Sequence, residues 1–159
     1  MTLTETAVYL KVKKHLKTTG WSLLAGQPPS GTDHLPVIEI KDDFTSGNGS
    51  KGSFKPDLVA WKNDVLVFIE LKPMFNAPDQ VKVENVLTSP LRIEALWEDL
   101  VQRRTKIATG ELLQAKKPQT RVVGGLGYGG IQGEHPHLWT FLVKGDVVVE
   151  IPATAPFPE

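Results

Sequence analysis

The chain has 159 residues, enough for one domain with a core of its own. It contains no cysteine, which excludes disulfides and thiolate metal sites, and no apolar run near the ~20 residues that span a bilayer. Its net charge is zero, which argues mildly against a large nucleic-acid footprint. The N-terminus lacks the basic-then-apolar order of a signal peptide, so a cytoplasmic protein is expected.

The first predicted element is an amphipathic helix over residues 3–18, because apolar residues recur there at helical spacing. Thr2 and Glu5 fit a capping box at its start, and Gly20 supplies its stop. Glu5 lies on the apolar stripe of this helix, which predicts that its side chain points inward. Downstream, the pattern predicts strands over 21–24 and 35–40 and loops over 27–34 and 45–53.

A β-hairpin is predicted next, because Asn63–Asp64 separates two apolar runs. If those two residues form the loop, Asp57 lies opposite Glu70 on the neighbouring strand, with the Cβ atoms about 5 Å apart. Side chains alternate along a strand, so Lys72 shares the face of Glu70. Like charges directly opposite each other are unfavourable, and a divalent cation between them would remove the penalty.

The second half predicts two helices and further strands. Pro73 should end the strand that carries Lys72. Ser89–Pro90 predicts an N-cap and first turn, with Gly110 as the stop of that helix. The remaining predictions are a helix over 79–87, a strand over 121–123, a hairpin of 138–143 with 147–151, and an extended tail over 152–159.

A glycine-rich segment, residues 125–130, formally matches the G-x-G-x-x-G pattern of phosphate-binding loops. Residues 131–136 cannot comfortably open the helix that such a loop requires. The segment therefore predicts a flexible loop that could approach a phosphate backbone.

Pro56-Asp57 followed by Glu70-Leu71-Lys72 resembles the motif of the PD-(D/E)XK nuclease superfamily, the restriction-endonuclease-like fold. The order of the predicted elements extends the resemblance over roughly residues 3–145. It implies an α/β fold with a central mixed β-sheet flanked by helices. We expect a single domain over residues 1–159, ending in the proline-rich tail 152–159.

The resemblance also implies a metal-dependent phosphodiesterase, a DNA endonuclease or exonuclease that uses Mg²⁺ or Mn²⁺. Asp57 and Glu70 would be catalytic carboxylates and metal ligands, with the carbonyl of Leu71 as a further ligand. Lys72 would orient or deprotonate the attacking water, a role that suits a lysine whose pKa is lowered by a nearby metal and partial desolvation. Glu5 would be a further metal ligand, or would only complete the capping box.

Weaker candidates lie outside this motif. Gln80 follows the Lys72 strand, where some branches of the family carry a glutamine on a helix. Glu39 could enter the site from a neighbouring strand, although an exposed position is favoured, and His135 and His137 fit a loop better than a zinc site. Basic residues that could contact nucleic acid, or could equally form solvated surfaces, are Lys51, Lys55, Arg103 and Arg104.

DNA is the expected partner, with RNA not excluded and no membrane expected, and the chain should form a homodimer or join a larger complex. One alternative is a catalytically silent nucleic-acid-binding or assembly subunit of a DNA-processing or defence complex. Another is a metal-dependent hydrolase of a different phosphate ester. The intact set of Asp57, Glu70 and Lys72 favours an enzyme over the silent subunit.

Overall fold

The structure is a computed structural model that describes residues 3–31, 34–41, 53–103, 105 and 115–158. The predicted loop over 45–53 lies almost wholly outside these ranges, and Lys51 and Arg104 lie outside them too. The elements in chain order are α1 (Glu5–Thr18), β1 (Ser22–Gly26), β2 (Leu58–Lys62), β3 (Val65–Met74), α2 (Ala77–Leu87), α3 (Pro90–Gln102), β4 (Arg121–Gly129), β5 (Trp139–Lys144) and β6 (Val147–Ile151).

Within the described ranges, the strands form one six-stranded mixed sheet in the order β1 to β6. β1, β2 and β3 pair antiparallel, as do β5 and β6, whereas β3, β4 and β5 pair parallel. α1 packs on one face of the sheet, and α2 and α3 pack on the other. The chain is thus a mixed α/β protein whose central mixed sheet is flanked by helices, as the sequence predicts at this level.

β3 carries the core on both of its faces. Leu66 and Phe68 pack in the cluster under α2 and α3, whereas Val67 and Ile69 pack in the cluster under α1. All four are fully buried. Alternating side chains of a strand point to opposite faces, so a strand covered on both sides needs a continuous apolar run. That run ends at Glu70, where the candidate site residues begin.

The hairpin prediction is confirmed. Asn63 adopts a φ of 53°, the left-handed conformation that a two-residue hairpin turn requires. Lys62 pairs with Val65 and Leu58 with Ile69, which is the predicted register. Asp57 therefore stands one residue before β2, at the end of the ladder.

The capping box predicted for Thr2 and Glu5 is wrong. Thr4 is the N-cap of α1, and its Oγ1 accepts a hydrogen bond from the backbone N–H of Ala7 at 3.0 Å. Glu5 is then the first helical residue, so its carboxylate is not the third-position partner of a cap. That leaves the side chain of Glu5 available for another contact.

Other boundaries differ from the predictions. β3 continues past Pro73 to Met74, because the proline falls in an irregular stretch where its missing N–H is tolerated. Residues 35–40 form no strand but only a bridge from Ile40 to Phe54. α3 ends at Gln102, before Gly110, which lies outside the described residues.

The glycine-rich segment is the largest correction: it is part of β4, near the middle of the sheet, rather than a flexible loop. The glycines are explained by close packing. A Cβ on Gly124 would overlap the Cγ1 methyl of Val83 on α2, and one on Gly127 would overlap Leu71 on β3. The absence of a side chain at Gly124 lets α2 lie close to the sheet, so that residues of α2 reach the end of the β2–β3 ladder.

We expect Gly124→Ala to lower the free energy of unfolding by about 1–3 kcal/mol, because the added methyl forces Val83 and α2 away from the sheet. Urea unfolding of the two single variants and the Gly124→Ala/Val83→Ala double variant measures the coupling. In the Val83→Ala background, Gly124→Ala should lower the free energy of unfolding by less than it does in the wild type. An equal loss in both backgrounds would contradict the contact between Gly124 and Val83.

Candidate functional site

The structure brings Asp57 and Glu70 together at the end of the β2–β3 ladder. Their carboxyl groups lie close enough for a hydrogen bond between them to affect the pKa of both. Asp57 Oδ2 also accepts the backbone N–H of Leu71 at 2.8 Å, which fixes the orientation of this carboxylate. Glu70 is only 8% exposed, so the contact lies largely away from water.

This contact requires a proton in the absence of a cation. Burial raises the pKa of Glu70 to about 9, and the hydrogen bond to Asp57 and the charge of Asp57 act in the same direction. Burial also raises the pKa of Asp57, while the hydrogen bonds from Glu70 and from the Leu71 N–H oppose that shift. Glu70 thus keeps the proton and donates it to Asp57, because two buried carboxylates in contact cannot both ionise.

α2 adds two side chains that the sequence reading did not assign to the site. Lys82 Nζ lies 3.6 Å from Glu70 Oε2. Asp79 is only 5% exposed, and its Oδ2 is buried without a hydrogen-bond partner. The helix cap is the sequence feature that could have indicated Asp79. Asn76 is the N-cap of α2 and its side chain accepts the Asp79 N–H at 3.3 Å, so Asp79 stands in the first turn of α2, directly after β3.

Lys72 forms an ion pair with Glu5, the first residue of α1. Its Nζ lies 3.5 Å from Glu5 Oε1, and the two side chains are 39% and 38% exposed. Glu5 therefore reaches the site through Lys72, and its charge also acts on Asp57. The inward direction predicted for Glu5 agrees with this contact, whereas its role as a metal ligand stays a prediction.

The pKa of Lys72 is raised in the cation-free protein. Burial lowers this pKa, but the negative charges of Asp79, Glu5 and Glu70 outweigh burial and raise it above the ordinary lysine value. These carboxylates come from α1, β3 and α2 together, and the local motif contains only one of them. The lowering expected for a lysine beside a metal stays a prediction.

The weaker candidates lie apart from this cluster or contribute no contact to it in the described structure. Gln80 is half-buried in the first turn of α2, next to Asp79. Arg103 pairs with Asp99 at the end of α3, and the backbone N–H of Glu39 bonds to the same Asp99. Lys55 is exposed near the start of β2.

The two histidines of the loop before β5 do not meet at a shared site. His137 Nδ1 bonds the carbonyl of Pro156 at 2.9 Å, whereas His135 Nε2 bonds the hydroxyl of Tyr128 at 2.9 Å. Phe75 lies against His135 and Tyr128, with ring centroids 5.0 and 5.6 Å away. His135 thereby belongs to an aromatic group beside Lys72, since Phe75 and Tyr128 line the same cleft as that lysine.

Two kinds of feature are absent from the described residues. No group of three or more His, Cys, Asp or Glu side chains there is arranged to hold a metal ion. No helix in that part of the chain is long and apolar enough to cross a membrane.

Comparison with known proteins also gives no match: no protein-family model fits the chain, and no curated protein matches its sequence. The residues around the Asp57–Glu70 pair therefore carry the chemical information about this protein. That cluster combines a protonated carboxyl pair, a charged lysine and a buried unpaired carboxylate oxygen.

In the cation-free protein, stability should fall as the pH rises. The pKa of Glu70 rises from 4.5 to about 9 on folding, so the native state holds one more proton than the unfolded chain between those values. The contribution is complete below the unfolded value and lost above the folded one, with a slope of up to about 1.4 kcal/mol per pH unit.

Urea unfolding in a chelator, repeated across that pH window, measures this slope. Glu70→Gln should flatten it, because glutamine mimics the protonated acid at every pH. Glu98→Gln, on the exposed side of α3, is the matched control and should keep the wild-type slope. An equally steep profile for Glu70→Gln would contradict the assignment of the proton.

Proposed function

We propose that the chain is a Mg²⁺- or Mn²⁺-dependent nuclease of the restriction-endonuclease-like fold that hydrolyses phosphodiester bonds in DNA. The observation that carries this proposal is the buried contact between Asp57 and Glu70, with Lys72 two residues further along β3. The order of elements in the chain, helix, strand, hairpin, helix and strand, supports the assignment to the restriction-endonuclease-like fold. Membership of a homodimer or larger complex stays a prediction.

The residues at the site fit a hard divalent cation. A cation beside Asp57 and Glu70 would take the place of the proton that they share, because it neutralises the same buried charge. Mg²⁺ is commonly held by one or two carboxylates, with waters and substrate phosphate oxygens as the other ligands. A pair of carboxylates without a third is therefore compatible with Mg²⁺. The Leu71 carbonyl is the predicted protein ligand beyond the pair.

Bound there, the cation would supply charge neutralisation at the phosphate and a more acidic water. Lys72 would act as a fixed positive charge rather than as a base, since Glu5 and Asp79 favour its protonated form. Its ammonium group could hold a phosphate oxygen and stabilise the negative charge that develops during attack. Glu5, at 3.5 Å from the ammonium, would keep Lys72 directed along the end of the sheet.

Mg²⁺ or Mn²⁺ should raise the melting temperature of the wild-type protein, because a ligand that binds only the native state stabilises it by about 2.7 kcal/mol at a hundredfold excess over its dissociation constant. Asp57→Asn should remove most of this shift. Asp146→Asn, at an exposed turn near Lys11, serves as the matched control and should retain it. A full shift in Asp57→Asn would place the cation elsewhere.

Lys72→Ala should reduce single-turnover cleavage about 100- to 1000-fold, as expected for the loss of one group that stabilises transition-state charge. The metal-induced melting shift should persist, because an ammonium is not a ligand for a hard cation. Lys72→Arg should recover only part of the rate, since its planar fork places the charge differently. Wild-type cleavage by Lys72→Ala would eliminate this role.

The same assay tests the alternative of a silent binding or assembly subunit. A wild-type protein that shows the metal-induced shift and binds DNA, but cuts none across Mg²⁺ and Mn²⁺, would favour that alternative.

A further inference from the structure

Two exposed apolar side chains follow the catalytic candidates on β3. Met74 is 66% exposed and Phe75 is 41% exposed. Both line the cleft that also contains Glu70, Lys72 and Asp79. Apolar area kept in water beside a charged cleft is a sign of a binding surface, because such exposure brings no benefit to folding.

The Phe75 ring is supported from behind. His135 lies 5.0 Å from it between ring centroids, with an interplanar angle of 36°. Tyr128 is 2% exposed, and its hydroxyl accepts the N–H of Gly133 at 3.0 Å and contacts His135 Nε2 at 2.9 Å. Bonded neighbours restrict where the Phe75 ring can move, so its exposed part is presented in a defined position at the cleft.

The charges of the site provide little surplus for binding a duplex. Lys72 lies 3.5 Å from Glu5, and the buried carboxylate of Asp79 interacts with the charges of both Lys72 and Lys82. Over the whole sequence, 18 lysine and arginine residues are balanced by 18 aspartate and glutamate residues. Double-stranded DNA is held mainly by many lysine and arginine contacts to phosphates. A strand held here therefore needs a source of affinity other than charge.

We propose that Phe75, with Met74 beside it, is a stacking platform for an unpaired base next to the phosphate at the Asp57–Glu70 site, so that the substrate is single-stranded or locally unpaired DNA. This inference rests on the proposed nuclease function. Every base has a π-face that can stack on an aromatic ring whatever the sequence. In an intact duplex neighbouring base pairs cover that face, so the platform selects for unpaired DNA.

The distances along the chain agree with this placement. Phe75 follows Lys72 by three residues, a chain length of at most roughly 10 Å, and both side chains line the same cleft. A base attached to the sugar next to a phosphate at Lys72 can therefore reach the ring. The platform and the charged cluster would then hold one nucleotide by its two ends.

The test compares binding of one fluorescein-labelled oligonucleotide as a single strand, as a full duplex and as a duplex with a mismatched bubble. All variants carry Lys72→Ala, so that the DNA stays intact, and are measured with Mg²⁺ at one salt concentration. Phe75→Ala should weaken single-strand and bubble binding about 5- to 100-fold, the equivalent of about 1–3 kcal/mol of stacking on one base. Phe75→Trp should keep the affinity, and full-duplex binding should be weak in every variant.

Leu91→Ala is the matched control, since it truncates a side chain that is 66% exposed on α3, outside the cleft. It should leave every affinity unchanged. Equal single-strand binding by Phe75→Ala and its parent would overturn the platform, as would a preference of the parent for the full duplex. A change in oligomeric state on Phe75→Ala with unchanged DNA binding would show that a second copy covers the ring, and would overturn it too.

Cleavage by the protein with the wild-type Lys72 separates this inference from the function beneath it. If that protein cuts duplex and single strand alike, and Phe75→Ala cuts both as well, the nuclease proposal stands and the platform fails. If it cuts neither form while Phe75→Ala still weakens single-strand binding, the platform stands as a binding site and the nuclease proposal fails.

Discussion

The proton shared by Asp57 and Glu70 is the interaction on which the polar end of this protein depends. Two carboxylates in contact in a largely buried position cannot both carry charge. Neighbouring groups favour this charge distribution. The Leu71 N–H stabilises the ionised carboxylate of Asp57, and Lys82 lies close to Glu70. In the proposed function a cation would replace this proton, because it would neutralise the same buried charge.

β3 explains how one strand provides both the core and this site. From Val65 to Ile69 its side chains pack on two faces, and β2 pairs along the same stretch. β2 begins at Leu58, opposite Ile69, so the residues of β3 after Ile69 lose that neighbour while they keep β4 on the other side. The N–H of Leu71 bonds to the Asp57 carboxylate instead of to β2. The polar residues of β3 therefore begin where its pairing with β2 stops.

Sequence reasoning could predict what depends on local geometry. A two-residue turn fixes the register of a hairpin, so the opposition of Asp57 and Glu70 followed from Asn63–Asp64. It could not predict what depends on packing between distant elements. The role of Asp79 and the raised pKa of Lys72 both require α2 to lie close to the sheet. That approach depends in turn on Gly124 in β4, which lies just beyond the strand predicted over 121–123.

The ion pair between Lys72 and Glu5 explains how the site can keep its lysine both charged and available. Both side chains are more than a third exposed, and an exposed pair of this kind contributes only about 0–1 kcal/mol to stability. A phosphate could therefore replace Glu5 as the partner of Lys72 at little cost. Asp79 would still favour the ammonium form of Lys72 after such an exchange, because its buried side chain would stay in place. In the proposed function the exposed Glu5 would thus be the replaceable partner of Lys72, whereas the buried Asp79 would continue to favour its ammonium form.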